Sequence, residues 1–159
     1  MFLSKRCLHG LRAVLYLIIQ PADRGWVPVR EIADVLNIPF HFLTKIVQDL
    51  IHEELLESGR GRSGGIRLAK PAEDLTVLQV IETLEGPSLF RDCVFGFSNC
   101  DNDRPCALHE KWAKVRKEIT AMFSSESLAE LGGRIELENL VHRDPQPAGM
   151  NHAPPEIFL

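Results

Sequence analysis

The sequence predicts a mostly α-helical protein that carries one small β-hairpin and a long dimerisation helix. Three observations carry that reading. Apolar residues recur at helical spacing in two short segments, Val29 to Leu36 and Phe40 to Leu50, joined by the turn residues Asn37, Ile38 and Pro39. A tip of glycine and arginine, GRGRSGG at 59–65, separates two short strand-like stretches, Leu55 to Ser58 and Ile66 to Leu68. Further on, Ala107, Leu108, Trp112, Val115, Ile119, Met122 and Phe123 form an apolar stripe too wide for a small domain to bury alone.

The elements follow in order. Leu8, Leu11, Leu15, Ile18 and Ile19 give residues 4–20 one buried helical face, with Ser4 as cap and Pro21 as stop. The charge at Arg12 and the lack of a small-residue cleavage site argue against a signal peptide, so this reads as a mature helix of a cytoplasmic protein. Pro28 opens a second helix, with Val29, Ile32, Ala33 and Leu36 inward. The third helix buries Phe40, Leu43, Ile46, Val47 and Leu50. Two short helices across a brief turn, the second amphipathic, followed by a cationic hairpin, make the winged helix-turn-helix pattern. Glycines at the tip permit close backbone approach, and Arg60 and Arg62 then stand where a groove or a phosphate can be reached.

Beyond Pro71, Thr76 and Gln79 form a capping box that opens a fourth helix, closed by Gly86. Asp103 as cap and Pro105 as first residue predict the long helix, running to about Phe123. Residues 124–141 can add a short helix. The proline-rich stretch from Arg143 reads as a disordered tail. The expected division is therefore a winged DNA-binding region at 1–70, a linker helix with cysteine loop and dimerisation helix at 71–142, and a tail at 143–159.

Net charge is −4, which argues against nucleic acid until it is divided along the chain. Residues 1–70 hold ten Lys/Arg against seven Asp/Glu, and residues 71–159 hold eight against fifteen. The excess positive charge sits with the winged pattern, as a polyanion partner requires. No run of eighteen apolar residues is present, so no membrane span is expected. The glycine-rich tip lacks the order of a nucleotide phosphate loop, and no C-x-x-C or nucleophile–base pattern accompanies the cysteines. The sequence does not read as an enzyme.

Three of the four cysteines fall in CVFGFSNCDNDRPCALH, residues 93–109, with the spacing C-x(6)-C-x(5)-C-x(2)-H: Cys93, Cys100, Cys106 and His109. Thiolates bind iron–sulfur clusters and soft or borderline metals. The intervening loop of Gly, Asn, Ser, Asp and Pro can wrap around an object. A cysteine at a helix start has a lowered pKa, and a histidine three residues on shares its face. Structural zinc sites favour paired C-x(2–4)-C knuckles, absent here. An iron–sulfur cluster is the leading reading, with a redox dithiol, zinc and inert cysteines left open.

These residues resemble the Rrf2 family of bacterial transcription regulators. The likeness rests on Leu3-Ser4-Lys5 with Gly10-Leu11-Arg12, on Glu31-Ile32-Ala33, and on Ile38-Pro39 followed by Leu43, Lys45, Ile46, Val47 and Leu50. Ser58, Arg60, Gly61, Gly64, Gly65, Ile66, Leu68 and Ala69 carry it through the wing. Val80-Ile81-Glu82 with Glu85-Gly86, the cysteine loop and Trp112 complete it, over about residues 1–125. The resemblance implies a homodimer on a palindromic operator in double-stranded DNA. It implies base and backbone contacts from Phe40, His41, Thr44, Lys45 and Gln48 on the third helix, and from Arg60, Arg62, Ser63 and Gly64 in the wing. It also implies a cluster on Cys93, Cys100 and Cys106 that senses redox state, iron or nitric oxide. Two departures stand out. The first cysteine gap is six where five is commoner. Leu8 occupies the position from which a partner's acidic side chain ligates the cluster in the nitric-oxide sensors. His109 matches the histidine ligand of other members and favours [2Fe-2S] over [4Fe-4S], while Cys7 and His9 are alternative fourth ligands. The competing expectation is a cofactor-free regulator of the same fold with a structural or thiol-redox cysteine loop.

Overall fold

The computed structural model describes residues 3–21, 23–61 and 63–141. Arg62 and the expected tail at 143–159 lie outside the described residues. The first helix, α1 (Lys5–Ile18), begins where the Ser4 hydroxyl accepts the Cys7 N–H at 3.1 Å. It buries Cys7, Gly10, Ala13, Val14, Tyr16 and Leu17, while the face expected from the sequence, Leu8, Leu11, Leu15, Ile18 and Ile19, is only half-buried. Helices α2 (Val29–Val35) and α3 (Phe40–His52) cross at a turn in which Asn37 takes a positive φ of 52°. Helix α3 turns Leu43, Ile46, Val47 and Leu50 inward, the face its apolar spacing predicts.

The wing is the antiparallel pair β1 (Leu56–Gly59) and β2 (Gly65–Leu68), with Leu56 opposite Leu68 and Gly59 opposite Gly65. The strands sit one residue later and earlier, respectively, than their apolar runs suggest. Val27 adds a third rung, exchanging two backbone bonds of 2.9 Å with Ile66. This ties the hairpin to the segment before α2.

Helix α4 (Val77–Glu85) carries the predicted Thr76–Gln79 capping box and ends at Gly86, φ 84°. It packs on α1 and α3 through Val80, Ile81 and Leu84. A Cβ on Gly10 would stand 2.2 Å from Leu84 Cδ1, so the α1–α4 approach needs glycine there.

Four further features differ from the sequence reading. A short helix α5 (Ser88–Arg91) precedes the cysteine loop. The long helix, α6 (His109–Ser124), starts four residues after Pro105. The Asp101 carboxylate, not Asp103, organises the approach: its Oδ1 accepts the N–H groups of Asp103 and Arg104 at 3.0 and 2.8 Å, making a turn. Cys106 therefore precedes α6 instead of starting it, and its carbonyl accepts the His109 N–H at 3.0 Å. Finally, 124–141 holds two short helices, α7 (Leu128–Gly132) and α8 (Leu137–Leu140). Leu128 of α7 is fully buried, and its N–H donates to the Leu75 carbonyl at 2.7 Å.

None of the side chains of α6 is buried. Phe123 meets Phe90 edge-on at 6.3 Å, while Val115 and Met122 are 42% and 59% exposed. Most of the predicted apolar stripe thus has no cover within the described residues of one chain.

Candidate functional site

The cysteine loop joins α5 to α6, and it brings its three thiols together. The Sγ atoms of Cys93, Cys100 and Cys106 all lie within 4.8 Å of one another, with Cys93 and Cys106 at 3.6 Å. His109 Nδ1 stands 3.2 Å from Cys100 Sγ, and its Nε2 lies 3.2 Å from Asn102 Oδ1. A second partner on the far ring nitrogen orients an imidazole ligand. The gap among these groups is about 20 Å³, the size of one atom. No residue from 93 to 108 is buried, so the core does not set the width of that gap.

The thiols are electrostatically unlike. Burial opposes ionisation at Cys93, but the backbone N–H groups of Phe95 and Phe97 and the thiols of Cys100 and Cys106 outweigh it, so its pKa is lowered. At Cys100 the Cys106 backbone N–H favours the thiolate. Burial, the neighbouring thiols and charge at Cys106 overcome it, and the pKa rises. The two neighbouring thiols are thus pushed in opposite directions, as interacting groups sharing one site are. Three soft donors and an imidazole, converging from a loop free to spread, fit an iron–sulfur cluster.

Two residues hold the loop to α6: Trp112, which sequence reasoning placed only in the apolar stripe and the family likeness, and Arg116, which it missed. Trp112 Nε1–H donates to the Asp92 carbonyl at 2.9 Å. The Arg116 guanidinium donates to the carbonyls of Arg91 and Asp92. Both fix the backbone immediately before Cys93. They lie at spacings of three and seven from His109, a periodicity that marks one helical face only once the helix start is known.

The alternative fourth ligands sit elsewhere. Cys7 is fully buried in the core. Burial first, then the charge and hydrogen bonding of Glu85, push its thiol up to about 12. It stays protonated, as a small apolar core residue does. His9 lies on α1 beside Phe42, ring to ring at 5.7 Å.

The face expected to meet DNA is mixed. His41, Lys45 and Gln48 project from α3 and are exposed. Phe40 and Thr44 are half-buried: Arg30 lies over the Phe40 ring at 4.2 Å, and the Thr44 hydroxyl donates to the Phe40 carbonyl at 2.8 Å. Those two shape the start of the helix more than its outer surface. Arg60 and Ser63 are exposed at the wing tip. A Cβ on Gly64 would stand 2.4 Å from the Gly59 carbonyl oxygen, so the tip closes only on glycine. At the wing base the Arg67 guanidinium stacks on Trp26 at 4.3 Å and pairs with Glu57. Sequence reasoning left Trp26 in a loop, because nothing local links it to a strand forty residues on.

The Rrf2 family, described as iron-dependent transcriptional regulators, matches residues 3–134. The HTH-type transcriptional regulator NsrR of Oceanobacillus iheyensis is 32% identical over 124 residues, covering 77% of this chain and 82% of that protein. Among solved structures, the global cysteine regulator CymR of B. subtilis superposes with a TM-score of 0.70 at 25% identity, over 84% of this chain and 98% of that one. IscR of T. potens gives 0.66 at 25% identity, over 89% and 93%.

Proposed function

This chain belongs to the Rrf2 family of iron-dependent transcriptional regulators, and on that premise we propose that it is a cytoplasmic homodimer whose DNA affinity is set by an iron–sulfur cluster on Cys93, Cys100 and Cys106. It is a regulator of transcription and not an enzyme. The observation that carries the cluster reading is the convergence of three Sγ atoms within 4.8 Å on one exposed loop. His109 is the fourth donor, steadied by Asn102. The cluster supplies, when bound, a centre that responds to oxidation, iron supply or nitric oxide. The imidazole favours the [2Fe-2S] form.

The chain's own residues do the rest. Lys45, Gln48 and His41 meet base edges in the major groove, with each good bidentate contact contributing roughly 1–3 kcal/mol of discrimination. Arg60, Arg62, Ser63 and the Gly64 backbone meet the adjacent backbone or minor groove. Phe40 and Thr44 hold the helix start in register. Two such heads, paired through the apolar stripe of α6, address the half-sites of a palindrome. Loop and reading head are joined through solid contacts. Trp112 and Arg116 bind the loop to α6, α6 packs on α4, and α4 packs on α1 and α3. A hundredfold change in DNA affinity needs only about 2.7 kcal/mol of difference between the two loop states.

The test is protein purified without oxygen, with its visible spectrum recorded and iron and acid-labile sulfide counted per chain. Matched iron and sulfide, both lost in Cys100→Ala, support the cluster. Zinc alone, or a colourless protein that resists reconstitution, removes it. The 3.6 Å separation of Cys93 and Cys106 favours one second reading, a cofactor-free thiol switch. There, hydrogen peroxide takes two electrons and two protons from the pair, a disulfide forms, and two waters leave. A peroxide-dependent loss of two free thiols in the colourless protein would identify it.

A further inference from the structure

The contacts that hold the cysteine loop use only part of the Arg116 guanidinium. Its Nη1–H groups donate to the carbonyls of Arg91 and Asp92, the second at 3.2 Å. Its Nε is buried and has no hydrogen-bond partner among the described residues. A guanidinium N–H can only donate, so a buried one calls for an acceptor. Arg116 also lines the gap of about 20 Å³ that Cys93, Cys100, Cys106 and His109 line. An iron–sulfur cluster held there brings sulfur acceptors that carry negative charge, which is what the Nε–H lacks.

The charges around the gap agree. Its lining is three thiols, His109, Trp112, Arg91 and Arg116, with no carboxylate among the described residues. Neither Arg91 nor Arg116 has a carboxylate within ion-pair distance there. Arg104, in the same loop, lies 3.6 Å from Asp101 instead and does not line the gap. Arg116 follows His109 by two helical turns on α6, so helix geometry brings both to the thiols from one side.

We propose, building on the cluster reading above, that Arg116 donates its Nε–H to a sulfur of the bound cluster and thereby raises its reduction potential, while Nη1 fixes the loop start. Taking one electron from a one-electron reductant makes the site more negative by one charge, with no bond broken. A donated N–H and an adjacent cation stabilise that form more than the oxidised one. Trp112 separates this role from mere anchoring. It holds the same loop start, but its Nε1–H is already engaged by the Asp92 carbonyl and it carries no charge.

The test is a redox titration of the full chain purified without oxygen, followed by visible absorbance, with iron and sulfide counted per chain. Arg116→Gln is expected to keep iron and sulfide and to move the one-electron equilibrium tenfold towards the oxidised form, a fall of about 59 mV. Trp112→Phe, which loses a loop contact and no charge, should move it by less than about threefold. Arg116→Lys should fall between Arg116→Gln and the wild type. A second measurement needs no variant: pulsed electron paramagnetic resonance of the reduced wild-type protein, with heavy nitrogen in arginine alone, should show a labelled nitrogen coupled to the cluster. Equal shifts in Arg116→Gln and Trp112→Phe would make Arg116 an anchor only and overturn the assignment, as would a missing nitrogen coupling. If Arg116→Gln does not fold or hold a cluster, the labelled wild type decides. Wild-type protein without iron and sulfide removes the cluster reading and this assignment with it, so the metal count tells the two failures apart.

Discussion

The two halves of this molecule are held in different ways. In the half proposed to read DNA, α1 to α4 and the hairpin bury one another: among the described residues every buried apolar side chain lies between Cys7 and Leu84 except Leu128 and Leu140. The half proposed to sense has no buried residue in its loop or in α6. It is pinned by polar contacts, Trp112 and Arg116 to two carbonyls and Asp101 to two N–H groups. A segment that buries its own apolar surface carries its own stability. One that does not takes its shape from what it binds, and such low-stability elements are where switching is built. In the proposed function the contrast gives the regulator a stiff head to match DNA spacing and a loop whose shape its ligand sets.

The largest effect that could break this comparison concerns α6. Val115→Glu combined with Met122→Glu is expected to weaken self-association by more than about a thousandfold, because each unpaired charge costs several kcal/mol in an apolar interface. Sedimentation velocity reads it as a shift from dimer to monomer. An unchanged dimer would mean that another surface pairs the chains.

Next comes the core. Leu43→Ala, at a position with no exposure, should destabilise the protein by about 2–5 kcal/mol in urea unfolding. Val94→Ala, at 45% exposure in the loop, should stay within about 0.5 kcal/mol. Equal effects would erase the distinction between the halves.

A smaller effect follows from Cys7. Its folded pKa is raised from 9.0 to about 12. Below pH 9 both folded and unfolded chains keep the proton, and this group's contribution is fully present. As pH rises from 9 towards 12 the unfolded chain loses the proton first, so stability falls across that window. Cys7→Ala should flatten that alkaline decline in urea midpoints, and a decline of unchanged steepness would take Cys7 out of it.

The smallest effect sharpens the reading half alone. Arg60→Ala should reduce the slope of log affinity against log salt by about one phosphate contact, on any duplex sequence. An unaltered slope would take the wing away from the backbone.

Much of this was legible in residue order. The spacing of Leu43, Ile46, Val47 and Leu50 predicts the buried face of α3, and Ser4, Thr76 and Gly86 mark three helix ends at their observed places. These signals are local, acting within one or two turns. The start of α6 was misread because Asp103 and Pro105 look like a cap, while Asp101, two residues earlier, takes the N–H groups. The grouping of Cys93, Cys100, Cys106 and His109 was predicted by composition and spacing, but the short contact of His109 with Cys100 rather than Cys106 was not.

By itself, then, the sequence determined the two helices of the helix-turn-helix, the wing and the set of grouped thiols, because apolar periodicity, glycine and thiol chemistry act over short stretches of chain. Only the tertiary structure decided that Cys7 lies in the core, that Trp26 braces a hairpin forty residues away, and that Lys5, Arg12 and Arg30 line one cavity. Those outcomes depend on which surfaces meet when helices pack, and distance along the chain carries no measure of that.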